Sequence, residues 1–183
     1  MHKYRCKRIV GIDPSIRFMG IAILRGSSGK LLTYTLLVGP RGPKNTWISR
    51  AARCVDMVQE WWGSRKKAMD IRTSLFVIEM PQVFGSRRGR RGLQTESVQK
   101  LYYLVGRLTE WVEGHGGDVL LVHPSKWKGQ VPKQITRRRV LRRHPKLIQD
   151  RGLMSMGAKR ASNIFDAIGL ADYGLDKRKD RND

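Results

Sequence analysis

Apolar positions run in short blocks through the first third of the chain and in helical stripes through much of the remainder. Residues 8–12 form one block closed by Asp13, residues 19–24 form another, and Pro14 and Ser15 between them favour a turn, so the pair reads as a hairpin. Gly26, Ser27, Ser28 and Gly29 mark a second turn, after which residues 31–38 supply a third strand ending at a Gly/Pro break over 39–43. Three antiparallel strands therefore open the fold. Over 47–62 the pattern changes period: Ile48, Ala51, Ala52, Val55, Val58 and Trp62 recur at helical spacing, and Gly63 stops them.

The β-branched and aromatic run 74–78 predicts a buried strand that delivers Glu79 at its end. A helix follows with the stripe Val98, Leu101, Tyr102, Val105, Leu108 and Val112 and a stop at Gly114; residues 119–122 are then a fifth strand. The last helix spans 158–173, with Ile164, Ala167, Ile168 and Ala171 on one side. Parallel additions to a sheet need crossover helices, so this succession predicts an α/β fold: one mixed five-stranded sheet flanked by helices.

Three basic or charged segments interrupt the periodicity. Residues 85–92 are too rich in glycine and too self-repelling to fold alone and read as a mobile basic loop. Residues 126–146 carry a lysine and arginine cluster whose middle can be helical, with bounds that periodicity does not fix, and the tail 176–183 is expected to fray. A chain of 183 residues suits one compact domain, here 1–175, with no room for two.

Charge changes this from a fold to a partner. Lysine and arginine number 37 against 15 acidic residues, a formal net charge of +22, and such a field attracts polyanions by phosphate contact and counterion release. Nucleic acid is the leading partner, with a basic ribosome-like or membrane-surface protein as the alternative on charge alone. No apolar run approaches the roughly 20 residues of a membrane span, so no membrane partner is expected. Cys6 and Cys54 have no metal-binding or disulfide spacing and suit a reducing cytoplasm; His115, His123 and His144 share no regular spacing and read as surface or strand-end residues.

Against this basic background three acids are conspicuous. Asp13 and Glu79 each end an apolar strand, and Asp166 lies among Ile164, Phe165, Ala167 and Ile168. Burying such groups unpaired costs several kcal/mol on the order given for buried charge. If they converge, their oxygens can hold two hard divalent cations for phosphodiester hydrolysis. The residues alone are equally compatible with Asp13 capping a turn, Glu79 pairing with an arginine and Asp166 facing solvent.

The segment Gly11, Ile12, Asp13, Pro14, Ser15 with Gly20, Ile21, Ala22 resembles the opening of the RuvC Holliday-junction resolvases, with Ser15 in place of the usual second glycine. Val77, Ile78 and Glu79 followed by Gln82, Val83 and Phe84 are similar to that family's acidic strand end and its Glu-Gln-Val-Phe run, with Met80 and Pro81 inserted. Asp166 to Ala171 resembles its Asp-Ala-Leu-Ala-Ile-Ala helix, and all three segments occur in the family's order across nearly the whole chain.

The resemblance implies a ribonuclease-H-like fold, a homodimer, two Mg2+ or Mn2+ ions per site held by Asp13, Glu79 and Asp166, and symmetric nicking of four-way DNA junctions. Where the family often has an acid or histidine one turn before the last aspartate, this chain has Asn163, which offers a metal a neutral carbonyl oxygen but no charge. Asp172, six residues beyond Asp166, points elsewhere around the helix. Residues 124–133 look like a shortened form of the family's basic stretch, with Lys128 and Lys133 matching its catalytic lysines. Phe84 resembles the aromatic that stacks at the crossover, and Arg87, Arg88, Arg90 and Arg91 would bind phosphates without reading sequence. Trp127 reads as a loop anchor outside the site. Other branched DNA or RNA–DNA hybrids as substrate, and a non-catalytic branched-DNA binder, are the competing readings.

Overall fold

In the computed structural model, which describes residues 6–40, 46–65, 69–82, 91–129 and 131–180, the five expected strands form one sheet in the order β3-β2-β1-β4-β5. β1 (Arg8–Asp13) lies at its centre, which is why Ile9, Val10 and Ile12 are all fully buried: both faces of the strand are covered. β2 (Phe18–Arg25) returns antiparallel, with Asp13 opposite Gly20 and Arg8 opposite Arg25. β3 (Leu31–Val38) is antiparallel at one edge and is accordingly only half-buried along its length. β4 (Ser74–Glu79) and β5 (Asp118–Val122) run parallel to β1.

Each parallel strand is reached through a crossover helix, as the geometry of parallel pairing demands. α1 (Trp47–Gly63) precedes β4, its start fixed by the Thr46 hydroxyl accepting from the Ser49 amide at 3.1 Å. α2 (Arg91–Gly114) precedes β5. These two helices cover one face of the sheet, burying Val55, Val58, Trp62, Leu104 and Leu108 against Val10, Ile12, Phe76 and Ile78. Full burial of each such side chain contributes about 1.5–3 kcal/mol.

The other face belongs to α6 (Ala158–Lys179), whose Leu170, Ala171 and Leu175 pack on Ile9 and Val77, and whose Ile164 and Phe165 pack beside Ala22. Strand side chains alternate between faces, so β1 divides its residues between the two layers, Val10 and Ile12 to one and Ile9 and Gly11 to the other. Between β5 and α6 the chain forms α3 (Pro124–Trp127), α4 (Lys133–Arg143) and α5 (Arg151–Ser155), which resolves the basic cluster 126–146 into two helices and a turn. Among the described residues no helix is long and apolar enough to cross a membrane.

Four details differ from the sequence expectation. Arg91 and Gly92, expected in a basic loop, already belong to α2, while residues 83–90 lie outside the described residues. In α2 the buried stripe is Leu104, Val105, Leu108 and Val112; Tyr102 sits on its flank, 42% exposed, with its hydroxyl donating to the Pro81 carbonyl. His144 is not a surface residue but is 8% exposed, held by Asp172. The expected frayed tail remains helical through Lys179. Its last turn carries Lys177, Arg178 and Lys179, favourable at a helix C-terminus, and Arg178 Nη1 donates at 2.9 Å to the carbonyls of Cys6 and Gly26.

Candidate active site

Asp13 and Glu79 are neighbours by register. Ile12 of β1 pairs with Ile78 of β4 in parallel, so the next residue of each strand emerges at the same end of the sheet on the α6 side. The helix reaches them because two strand positions have no side chain. A Cβ on Gly11 would stand 1.9 Å from the Ala167 carbonyl oxygen, and one on Gly20 would stand 2.0 Å from that of Asn163. Any other residue at either position would push α6 off the sheet and carry Asp166 away from β1. The glycines flanking Asp13 in sequence and across the hairpin are thus packing requirements of the acid cluster.

Lys128, just past α3, closes the cluster. Its Nζ is 3.0 Å from Glu79 Oε2 and 3.2 Å from Asp166 Oδ2, with Asp166 only 5% exposed. Desolvation alone would lower the lysine's pKa, but the two carboxylates outweigh it and hold the ammonium above the usual lysine value. Asp13 goes the other way. Desolvation, then the charges of Glu79 and Asp166, push its carboxyl well above the ordinary aspartate range, and Lys128 and Lys133 offset only part of this. Glu79 and Asp166 share one contacting ammonium and Asp13 feels it only through its field, so the cluster is short of positive charge.

Trp127 is the residue that sequence reasoning placed outside the site. Its indole Nε1 donates to Glu79 Oε2 at 2.8 Å, and Lys128 Nζ lies 4.8 Å from its ring centroid. The available signal was adjacency to Lys128. Lys133, by contrast, is exposed and donates to Ser162 Oγ at 3.2 Å; it acts on Asp13 only through its field. Asn163 uses its Nδ2 to donate to the Phe18 carbonyl, which leaves Oδ1 as the one side-chain oxygen it can offer. Phe84, Arg87, Arg88 and Arg90 lie outside the described residues, as does the side chain of Arg91. Trp127 and Lys128 also wall a cavity of about 480 Å³ bordered by Arg139, Arg142 and Arg143 of α4 and by Asp172 and Asp176 of α6.

Among the described residues, no three acidic, histidine or cysteine side chains are already gathered as a group able to hold a metal ion; the cation that Glu79 and Asp166 share is Lys128. The donor set nevertheless fits a hard divalent ion, being all carboxylate oxygen.

Solved structures share this fold. The chain resembles Thermus thermophilus RuvC, with a TM-score of 0.60 and 15% identity over 94% of this chain and 96% of that one. It resembles T. thermophilus RuvC in complex with Holliday junction substrate with a TM-score of 0.56 and 17% identity, covering 94% of this chain and 95% of that one. The yeast mitochondrial Holliday junction resolvase Ydc2 gives a TM-score of 0.55 and 12% identity, over 94% of this chain and 79% of that one. The chain therefore has the ribonuclease-H-like fold of RuvC-type resolvases. No family model and no curated protein matches its sequence.

Proposed function

We propose that this protein is a metal-dependent endonuclease that resolves four-way DNA junctions by symmetric phosphodiester hydrolysis. The observation that carries the reading is the meeting of Asp13, Glu79 and Asp166 with Lys128 at one end of the sheet. Two lines support it: the fold is shared with a RuvC bound to a Holliday junction, and the net charge of +22 suits a polyanionic substrate.

Asp13, Glu79 and Asp166 would hold Mg2+ or Mn2+, two per site, with Asn163 Oδ1 as a neutral contributor. Such ions supply Lewis acidity at the scissile phosphate and a lowered pKa for the attacking water. The chain's own contribution is positioning and charge. Lys128 places an ammonium where negative charge accumulates on the phosphoryl oxygens, and Lys133 adds a weaker field from the rim. Exposed Arg139 and Arg142 continue the positive surface from Lys128 along the cavity, where they would take phosphates of the same strand without reading bases. Phe84 and Arg87, Arg88, Arg90 and Arg91 are the proposed contacts at the crossover. A homodimer would present two such sites to strands of opposite arms.

Cleavage of a labelled synthetic four-way junction, beside linear duplex and RNA–DNA hybrid, tests the reading with Mg2+ or chelator for the parent and Asp13→Asn proteins. Paired symmetric nicks on the junction, lost with chelator and in the variant, are expected. Cutting of hybrid or linear duplex instead would replace it with a broader nuclease, and tight junction binding without cutting in either metal would replace it with a non-catalytic binder.

A further inference from the structure

Trp127 has two engagements, one with an acid of the cluster and one with the helix that carries another. Its indole N–H donates to Glu79 Oε2 at 2.8 Å, the same oxygen that Lys128 approaches at 3.0 Å. Its six-membered ring lies on the bare backbone of Gly169, where a Cβ would come within 2.5 Å of ring atom Cζ3 and 3.2 Å of Cη2. Gly169 is three residues past Asp166 and so shares its face of α6. One side chain thereby touches the strand end that carries Glu79 and the helix turn that carries Asp166.

The local sequence builds this contact. Pro124 starts the single turn of α3 immediately after β5, the strand beside β4, and Gly129 ends the segment with φ of +66°. That turn delivers Trp127 and Lys128 together, one donating to Glu79 alone and the other bridging Glu79 to Asp166. A lysine on a flexible stem can leave a carboxylate when a cation arrives. An indole wedged against a glycine cannot swing in the same way, and its N–H is a donor only.

We infer that Trp127 is a positioning residue: its N–H fixes the rotamer of Glu79, and its ring sets the gap between Glu79 and Asp166 against Gly169. The inference rests on the proposed metal-dependent reading of this site. Residues that orient a metal-ligating group typically cost about 10–100-fold in metal affinity or activity when replaced.

The tests use the full chain with Trp127→Phe, which keeps an aromatic side chain but removes the indole donor, and with Glu79→Gln. The sequence contains five tryptophans, so five indole N–H resonances are expected in an 15N correlation spectrum, and Trp127→Phe identifies one of them. That resonance should shift on Glu79→Gln while the other four stay. Trp127→Phe should remain folded, melting within roughly 10 °C of the parent. Its Mn2+ affinity by calorimetry and its kcat should both fall by about tenfold or more. An indole resonance indifferent to Glu79→Gln overturns the inference, as does a Trp127→Phe protein whose Mn2+ affinity equals the parent's. A parent that binds Mn2+ but cuts no DNA removes the nuclease reading alone, and the calorimetric comparison still decides the role of Trp127. A parent that binds no Mn2+ overturns both.

Discussion

Asp166 and Asp172 sit six residues apart on α6 and are equally withdrawn from water, at 5% and 7% exposure, yet their surroundings are opposite. Asp172 has His144 Nε2 at 3.1 Å from both oxygens and Arg143 Nε at 3.1 Å, and the same guanidinium continues to Asp176 at 2.7 and 2.8 Å. A carboxylate only accepts, so the His144 nitrogen facing it carries the hydrogen. Asp166 shares a single ammonium with Glu79 and has Asp13 beside it. A buried acid is therefore not in itself a functional signal; a buried acid whose neighbours leave a deficit of positive charge is. The first arrangement is complete as it stands; the second leaves the deficit that the proposed metal ions would fill.

The largest expected effect follows directly. Asp166→Asn should lower junction cleavage by on the order of a thousandfold or more, as expected when a metal ligand is lost, whereas Asp172→Asn should cut at near the parental rate per folded molecule. Single-turnover cleavage of a labelled junction measures both. Equal losses would mean that the two networks form one site, and the contrast drawn from their counter-charges would fail.

Stability should rank the same residues the other way. Asp172→Asn leaves His144 and Arg143 without their carboxylate and should cost about 1–3 kcal/mol, discounted for the part-exposed guanidinium and its retained bond to Asp176. In a chain of this size that lowers Tm by roughly 3–10 °C. Asp13→Asn should instead raise Tm near neutral pH in chelator. The folded-state pKa of Asp13 lies above its unfolded value, so its contribution to stability is fully present below the ordinary aspartate pKa and is lost as pH rises through the folded value. The Tm advantage of the variant should accordingly open from about pH 4 upward. Melting curves from pH 3 to 8 check it, and an Asp13→Asn protein less stable than the parent at pH 7 would remove the claimed charge deficit.

One side of this contrast, the three candidate acids, was legible in the sequence. Asp13, Glu79 and Asp166 could be read because each interrupts a strong apolar pattern, two at strand ends and one in a helix stripe, and such interruptions are local signals. The five strands were legible for the same reason. The central place of β1 was not, because the order of strands depends on which side each crossover returns to, and hydrophobic period carries no information on that. Trp127 escaped because α3 is a single turn with no period to read, and its role depends on Glu79, 48 residues earlier. His144 escaped because its partner Asp172 is 28 residues away, beyond α5 and well along α6. Helix through Lys179 was hidden by the charge of its last turn, which reads as solvated tail until Arg143 is seen to hold Asp176.

The smallest effect tests the outer edge of the satisfied network. Hydrogen bonds from Arg143 are the main reason that the Asp176 carboxyl is held below its ordinary range; desolvation opposes them, and the guanidinium charge reinforces them. An aspartate with a lowered folded-state pKa contributes stability above its unfolded value, near 3.8, and loses it as pH falls through the folded value. Asp176→Asn should therefore be less stable than the parent at neutral pH and indistinguishable from it in strong acid, the reverse of the Asp13→Asn profile. With the Asp176 side chain 52% exposed the difference is screened, and a few tenths of a kcal/mol is the expected size, shrinking further in 0.5 M salt. Urea melts of the two proteins across that pH range measure it. A loss at neutral pH as large as that of Asp172→Asn would show that the last turn of α6 belongs to the buried network itself, with Arg143 dependent on Asp176 for its hold on Asp172.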